Sequence, residues 1–465
     1  MSEHEKPHRV ERDSMGEVEV PRDALFGAQT RRALDNFPIS DIRFPRRFIQ
    51  ALGAIKLEAA VVNNELGGLD GEVKDAIVRA AQEVVDGELD NHFVLDVFQT
   101  GSGTSTNMNS NEVISNRAIQ ILDGELGSKD PVHPNDHVNK GQSSNDVIPT
   151  AIHLAALISI EEDLLPGLRT LREALSEKVR EFDAVVKTGR THLQDATPIR
   201  LGQEFRGFAG QIERGIERVE KAREDLAEVA LGGTAVGTGV NTHPEFAPKV
   251  CEKLTERFGI EVRETENHFQ AQSTMDGCVF ASGAMKTVAV SIMKISNDLR
   301  WLGAGPRANL SEIALPEVQP GSSIMPGKVN PVIPESAAQV AAQVIGNDAA
   351  LAVAGQSGNF QLNVMLPVVA LNLLQSIGLL ATTATNLAAQ CVRGLEATER
   401  GPELVENGLM LATALAPEVG YDKAAEIAKQ AYKEDSTIRE VAREQTDLSE
   451  EDLDRLLDAR KMTGN

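Results

Sequence analysis

"IHLAALISIEEDLLPGLRTLREALSEKVREFDAVV", residues 152–186, carries apolar side chains at three- and four-residue steps from end to end. That period predicts a helix. At 1.5 Å per residue, a helix of about thirty residues reaches ~45 Å, longer than a small domain is wide. Pro166 lies inside the pattern and lacks an N–H, so a kink is expected there. Three other stretches repeat the period: "RRFIQALGAIKLEAAVVNNEL" (46–66), "LGQEFRGFAGQIERGIERVEKAREDLAEVAL" (201–231) and "FQAQSTMDGCVFASGAMKTVAVSIMKISNDLRWL" (269–302). Helices this long need partners along their whole length, so the chain is expected to be mainly α, with a central long-helix bundle. Strand candidates are short, such as "EVEVP" (17–21). Strands and helices do not alternate and no glycine-rich nucleotide fingerprint occurs, which argues against an α/β cofactor domain.

The tail, residues 420–462, reads as three short helices, the last opened by a capping box from Ser449 to Asp452. No internal repeat or low-complexity linker interrupts the chain. The expected plan is a mixed, mostly helical N-terminal region (1–142), a central bundle (143–396) and a small helical C-terminal region (397–465).

Composition narrows the partners. The 465 residues are 41% hydrophobic but only 4% aromatic, so the core must be aliphatic. A formal net charge of −23 repels phosphate backbones and anionic membranes, which excludes nucleic acid as an expected partner. The acid is spread along the chain, and two readings stay open: ordinary solubility, or adaptation to high salt, where like charges are screened. Cys251, Cys278 and Cys391 lie far apart without metal spacing and suit a reducing compartment. The charged N-terminus lacks an apolar run, so no signal peptide is expected and the cytoplasm is the default. From Ala349 to Val392 there is no charged residue, a length that could span a bilayer. Pro367, Asn372, Gln375 and Ser376 within it, and the missing basic and aromatic flanks, favour the buried core of an oligomer.

Polar residues gather at four gaps between helical patterns, each read as a loop: Gln99–Glu112, His133–Thr150, Thr188–Pro198 and Gly321–Glu335. The last, "GSSIMPGKVNPVIPE", must be mostly loop, because Pro326 and Pro331 disfavour helix in the residues before them. Together the gaps offer Ser102, Thr104, Asn135, Ser143, Ser144, Asn145, Thr191, Ser323 and Asn330 as neutral donors, with Lys328 as a cation. Such a set suits carboxylates, which accept several hydrogen bonds each. Any one of these residues could equally be a helix N-cap; four such gaps in one chain point to a small anion. His133 and His137 stand four apart, but Pro134 breaks a shared helical face and no third ligand is evident, so no metal is expected. His192, directly after Thr191 in a polar setting, is a candidate for acid–base chemistry.

At these segments the sequence resembles the class II fumarase/aspartase superfamily. The likeness runs from "DSMGEVEVP" (13–21) and "LFGAQTRRAL" (25–34) to "GYDKAAEIAK" (420–429), and "GSSIMPGKVN" (321–330) is the superfamily signature. The resemblance implies a three-domain, cofactor-free lyase that forms a homotetramer around twenty long helices, with each active site drawn from three subunits. "QTGSGT" (99–104), "HPND" (133–136), "KGQSSND" (140–146) and "GRTHLQDATP" (189–198) are similar to fumarases, whereas aspartases tend to place glutamine where His192 stands. "NDHVN" (135–139), "NPVIPE" (330–335) and "LNVMLPV" (362–368) look more aspartase-like. The histidine favours reversible hydration of fumarate to L-malate, a step of the tricarboxylic acid cycle, over the alternative of aspartate ammonia-lyase.

By that resemblance Ser322 is the base for the C3 proton, with Ser323 the rival assignment. His192, charge-partnered by Glu335, acts on the departing or entering oxygen. Substrate binding falls to Ser102, Gly103, Thr104, Ser143, Ser144, Asn145, Thr191, Ser323, Lys328, Val329 and Asn330. A second anion site is implied at His133, Pro134, Asn135 and Asp136. Family members often carry a basic residue where Asp130 stands here; Lys129 could replace it. A non-catalytic helical oligomer that kept the fold is the reading from another class.

Overall fold

The computed structural model describes residues 7–464. Its contacts define two compact units. The first comprises Met1–Pro166, Glu217–Thr287 and Gln343–Ala381; the second comprises Gly167–Ile216, Val288–Ala342 and Thr382–Asn465. Among the described residues every sheet is two-stranded and helices make up the rest of the regular structure, as the periodicity predicts.

The first unit is organised around the helix Arg46–Glu65, which packs against Gly71–Asp86, Ser144–Ser159 and Phe246–Phe258. Phe48, Leu52, Ile55, Ala59 and Val62 are fully or almost fully buried along it. Gly53 permits the closest approach, since a Cβ there would meet Val84 Cγ1 at 2.9 Å. Asp70 caps the 71–86 helix by accepting the Glu72 N–H at 2.9 Å, and Gly87, at φ 85°, ends it in the left-handed conformation. "EVEVP" is indeed a strand: Gly16–Pro21 pairs antiparallel with His8–Asp13.

The segment Gln99–Glu112 departs from expectation. It is not mainly loop; Thr104–Ile121 is a helix whose polar residues from Thr106 to Asn116 are buried. These side chains satisfy neighbouring backbone. Glu112 accepts the N–H groups of Gly27, Gln29 and Thr30 at 2.8–3.1 Å and the Thr30 hydroxyl at 2.6 Å. Asn109 donates to His92 O, Ser115 to Val132 O and Asn116 to Leu25 O. A buried amide or carboxylate so employed loses little by leaving water, which is why a polar sequence can form a core helix.

The quoted 152–186 stretch is helical as expected, with a wide turn where the kink was anticipated. Ser144–Ser159 is followed by the π-helical Ile160–Leu164 and then Leu165–Glu181, so the irregular turn lies just before Pro166. The 269–302 pattern divides into His268–Ser273 and Asp276–Leu302. At the break, the Ser273 and Thr274 hydroxyls donate to the Phe269 and Gln270 carbonyls, and Asp276 accepts from Thr274, so side chains compete for the helical ladder.

In the second unit, Phe182, Phe205 and Phe208 form an edge-on aromatic cluster with centroids 5.2 and 5.4 Å apart. Thr188–Pro198 is a β-hairpin rather than a loop, Val186–Thr191 against Gln194–Arg200, with a register shift between Thr188 and Arg190. The tail forms the three expected helices, Tyr421–Glu434, Ile438–Gln445 and Glu450–Leu456, around Leu415, Ile427, Val441 and Leu453. Ser449 accepts the Asp452 N–H at 3.1 Å, but Asp452 takes the Ser449 hydroxyl rather than its N–H, so only half of the expected capping box forms.

Two helices, Asp276–Leu302 and Leu366–Gly394, are long and apolar enough to cross a membrane. Each is just over half buried within the single chain. On Leu366–Gln390 the covered face is Val369, Leu373, Ile377, Leu380, Ala384 and Leu387, and the open face carries the uncharged Gln375, Gly378, Thr382 and Asn386.

Candidate active site

The first unit holds a cavity of about 360 Å³ lined by Thr104, Asn107, Asn139, Gln142, Ser143, Ser144 and Thr234, among others. Two helix starts converge on it. Gly103 lies at φ 68° immediately before the 104–121 helix, and a Cβ on it would meet Ile148 Cγ2 at 2.9 Å. Gly101 is tighter: a Cβ there would sit 1.8 Å from the Val364 carbonyl oxygen. These glycines let the "TGSGT" turn deliver its hydroxyls to the start of the 144–159 helix. Ser102 Oγ lies 2.7 Å from Thr104 Oγ1, which lies 2.7 Å from Ser144 Oγ. Two neighbouring hydroxyls and one forty residues later thus form one hydroxyl string.

Ser143 is an N-cap as well as a cavity residue. Its Oγ accepts the Asn145 N–H at 3.2 Å while Asp146 accepts the Ser143 N–H at 2.9 Å, a reciprocal box. Asn145 donates to Ala235 O at 2.8 Å. Asp146 is fully buried and also receives the N–H groups of Gly232 and Thr234 at 3.1 and 2.9 Å, tying the helix start to the 232–234 turn. Burial raises its pKa, opposed by these N–H groups and by the charge of Lys56.

Lys56 was not singled out in the sequence. Fully buried on the 46–65 helix, it donates to Asn139 Oδ1 and Gln142 Oε1, both at 2.9 Å. Desolvation pushes its pKa down to about 7, with the charge of Asp146 opposing the fall. The available signal was a lysine at the i+4 position from Leu52, on a face otherwise made of Ile49, Leu52 and Ala60.

His133 caps the Pro134–Val138 turn, its Nδ1 accepting the Asn135 and Asp136 N–H groups, both at 3.2 Å. His137 Nδ1 accepts the His133 N–H at 2.9 Å. Both Nδ1 atoms are occupied by backbone donors. The Lys129 ammonium donates to Arg12 O. Among the described residues no three His, Cys, Asp or Glu side chains converge as a metal site.

The second unit places its candidates differently. His192 and Leu193 form the hairpin tip, both at positive φ (56° and 60°), and Thr191 and His192 are exposed. Beneath the tip, Arg190 reaches the buried Glu312 with two bonds of 2.9 and 3.0 Å, and Lys187 approaches Glu312 at 3.4 Å and Glu204 at 2.9 Å. Among the described residues the His192 ring has no hydrogen-bond or ion-pair partner, and Glu335, in the first turn of Val332–Gly355, does not reach it.

The Gly321–Asn330 loop closes on itself. Gly321 N–H donates to Lys328 O and Asn330 Nδ2 to Gly321 O, both at 2.7 Å, while the Lys328 ammonium bonds Asn330 Oδ1. Ser322 Oγ accepts the N–H groups of Ile324 and Met325 at 3.2 and 3.0 Å; among the described residues no such donors meet Ser323, which is exposed. Ile324 at the loop tip is 84% exposed, and Val329 is also exposed.

The chain matches a family model described as Lyase over residues 16–346 and one described as Fumarase C C-terminus over residues 411–464. It is 55% identical over 457 residues to a class II fumarate hydratase of Halobacterium salinarum, covering 98% of this chain and 97% of that one. It is 50% identical to the mitochondrial fumarate hydratase of Saccharomyces cerevisiae, over 98% of this chain and 94% of that one. Among solved structures, class II fumarase from Schistosoma mansoni superposes with a TM-score of 0.96 at 40% identity, covering 98% of this chain and 99% of that one. The chain belongs to the class II fumarase family of lyases.

Proposed function

We infer that this protein is a fumarate hydratase, interconverting fumarate and L-malate. The observation that carries the reading is the 49–55% identity, over 96–98% of the chain, to fumarate hydratases of archaeal, bacterial and eukaryotic origin.

In the dehydration of malate a proton leaves C3 for Ser322 Oγ, and the electron pair moves into the adjacent carboxylate to form an aci-carboxylate. Collapse of that species expels the C2 hydroxyl, which departs as water after taking a proton from the His192 side. The two N–H groups on Ser322 Oγ support its assignment over Ser323, because donors to the oxygen favour its anionic form. Donors aimed at the doubly charged carboxylate supply the main stabilisation, each worth roughly 10²–10³ in rate. Ser102, Thr104, Ser143, Ser144 and Asn145 bind one part of the dicarboxylate; Thr191, Ser323, Lys328, Val329 and Asn330 serve the reacting end. His133–Asp136 forms a second anion site. The resemblance assigns no cofactor to these steps.

The half-covered apolar helices and the unpartnered His192 support a homotetramer, with the 143–396 region as the shared bundle between the 1–142 and 397–465 regions and Glu335 brought to His192 by assembly. Three buried, unpaired cysteines fit a reducing compartment such as the cytoplasm. The net charge of −23 suits work at high salt.

The test follows fumarate absorbance with L-malate and with L-aspartate, at low and molar salt, with chelator present. Rapid fumarate formation from malate alone is expected. Fumarate from aspartate alone would make the protein an ammonia-lyase.

A further inference from the structure

The cavity of the first unit is lined by neutral side chains throughout, yet the hydratase reading gives it a dianionic substrate. The cation that serves it stands one layer behind the wall. Resting on that reading, we propose that Lys56 is a positioning residue for the substrate carboxylate, acting through the amides of Asn139 and Gln142 rather than by touching the substrate.

Lys56 Nζ is held between Asn139 Oδ1 and Gln142 Oε1, and both amides line the cavity. Their oxygens face the lysine, and their NH₂ groups are fixed on the turn that leads into Ser143. Asn139 donates to Gln142 O at 3.2 Å, and Gln142 donates to Val138 O and Lys140 O at 3.1 and 3.2 Å. Asn107 and Asn111, from the 104–121 helix, also donate to Asn139 Oδ1. One ammonium therefore sets the turn that carries Ser143 and Ser144 and brings positive charge to the cavity floor.

A buried lysine ordinarily has a carboxylate to neutralise it. The charged group acting on Lys56 is Asp146, whose oxygens already receive three backbone N–H groups. Lys56 is left under-compensated, and an anion in the cavity completes its partnership at low local dielectric. Thr234 Oγ1, on a residue that lines the cavity, is buried without a hydrogen-bond partner.

The probe is succinate, a non-reacting dicarboxylate, titrated calorimetrically into wild type, Lys56→Gln and Lys56→Met. Gln can still donate to Asn139 or Gln142 without a charge. Both variants are expected to lose about tenfold or more in succinate affinity, the scale of one charge-assisted interaction. In turnover the loss falls on KM, with kcat changed less than threefold. Unchanged affinity in folded Lys56→Gln, or a loss confined to kcat, overturns the proposal and leaves the lysine a structural staple. If neither variant folds, proton uptake decides. Succinate is titrated into His192→Asn protein at pH 8 in two buffers of different ionisation enthalpy. Uptake of a fraction of a proton per site is expected, and none overturns the proposal. Failure of wild type both to bind succinate and to hydrate fumarate removes the hydratase reading itself, and the proposal with it.

Discussion

The hydroxyl string of the first unit and the serine loop of the second are built on opposite principles. Ser102, Thr104 and Ser144 sit at helix starts, largely buried and linked to one another. Ser322, Lys328 and Asn330 are held almost wholly by their own loop, and His192 stands on a hairpin tip open to solvent. The first arrangement is rigid before substrate arrives, which suits recognition of fixed carboxylate geometry. The second is free to close, which suits chemistry that needs water excluded only during reaction. Binding and proton transfer should therefore separate under mutation.

The largest separation is expected at Ser322. Ser322→Ala removes the base and should lower kcat by about 10²–10⁴, more than Ser323→Ala, which removes one donor at the reacting end; malate turnover at saturation measures both. Equal losses would erase the distinction drawn from the two N–H donors.

Next comes the footing of the hairpin. Glu312→Gln leaves the buried Lys187 and the partly buried Arg190 without their shared carboxylate. By the cost of breaking a buried pair, it should destabilise by about 3–5 kcal/mol, read from the denaturant midpoint at constant slope. A change below 1 kcal/mol would mean that the tip carrying His192 is not anchored through this network.

A smaller effect is expected in the hydroxyl string. Thr104→Ala breaks the link between Ser102 and Ser144 and removes a donor to the substrate carboxylate. Succinate should bind about tenfold to a hundredfold more weakly, as for loss of a hydrogen bond to a charged group. Turnover at saturating malate should fall much less.

The smallest effect is a slope. Lys56 titrates near 7 in the folded protein, below its ordinary 10.5. Between those values the unfolded chain binds more protons, so this group's contribution to stability is full above 10.5 and is lost as pH falls to about 7. Relative to Lys56→Gln, wild type should gain on the order of 1 kcal/mol per pH unit between pH 7.5 and 9. Parallel stability curves would place Lys56 in contact with water.

The long helices were legible because a 3.6-residue period survives wherever one face is buried; the 46–66 stretch became Arg46–Glu65 almost unchanged. The 99–112 and 188–198 segments were misread as loops for different reasons. In the first, the partners of Glu112 and Asn116 are backbone groups some eighty to ninety residues away, which no local pattern displays. In the second, the hairpin depends on Arg190 and Lys187 meeting a glutamate more than a hundred residues later. The polar candidates Ser102, Thr104 and Ser144 were legible as a group, since neutral donors at helix starts are few and conspicuous. Lys56 was not, because a lysine within an apolar period reads as a side chain that snorkels to solvent.

The most direct test of the central claim is a succinate titration of Ser322→Ala beside Thr104→Ala. The account predicts near wild-type affinity in the serine variant, despite its lost turnover, and weakened affinity in the threonine variant. Weak binding by Ser322→Ala with intact binding by Thr104→Ala would contradict it, and would place recognition in the open loop.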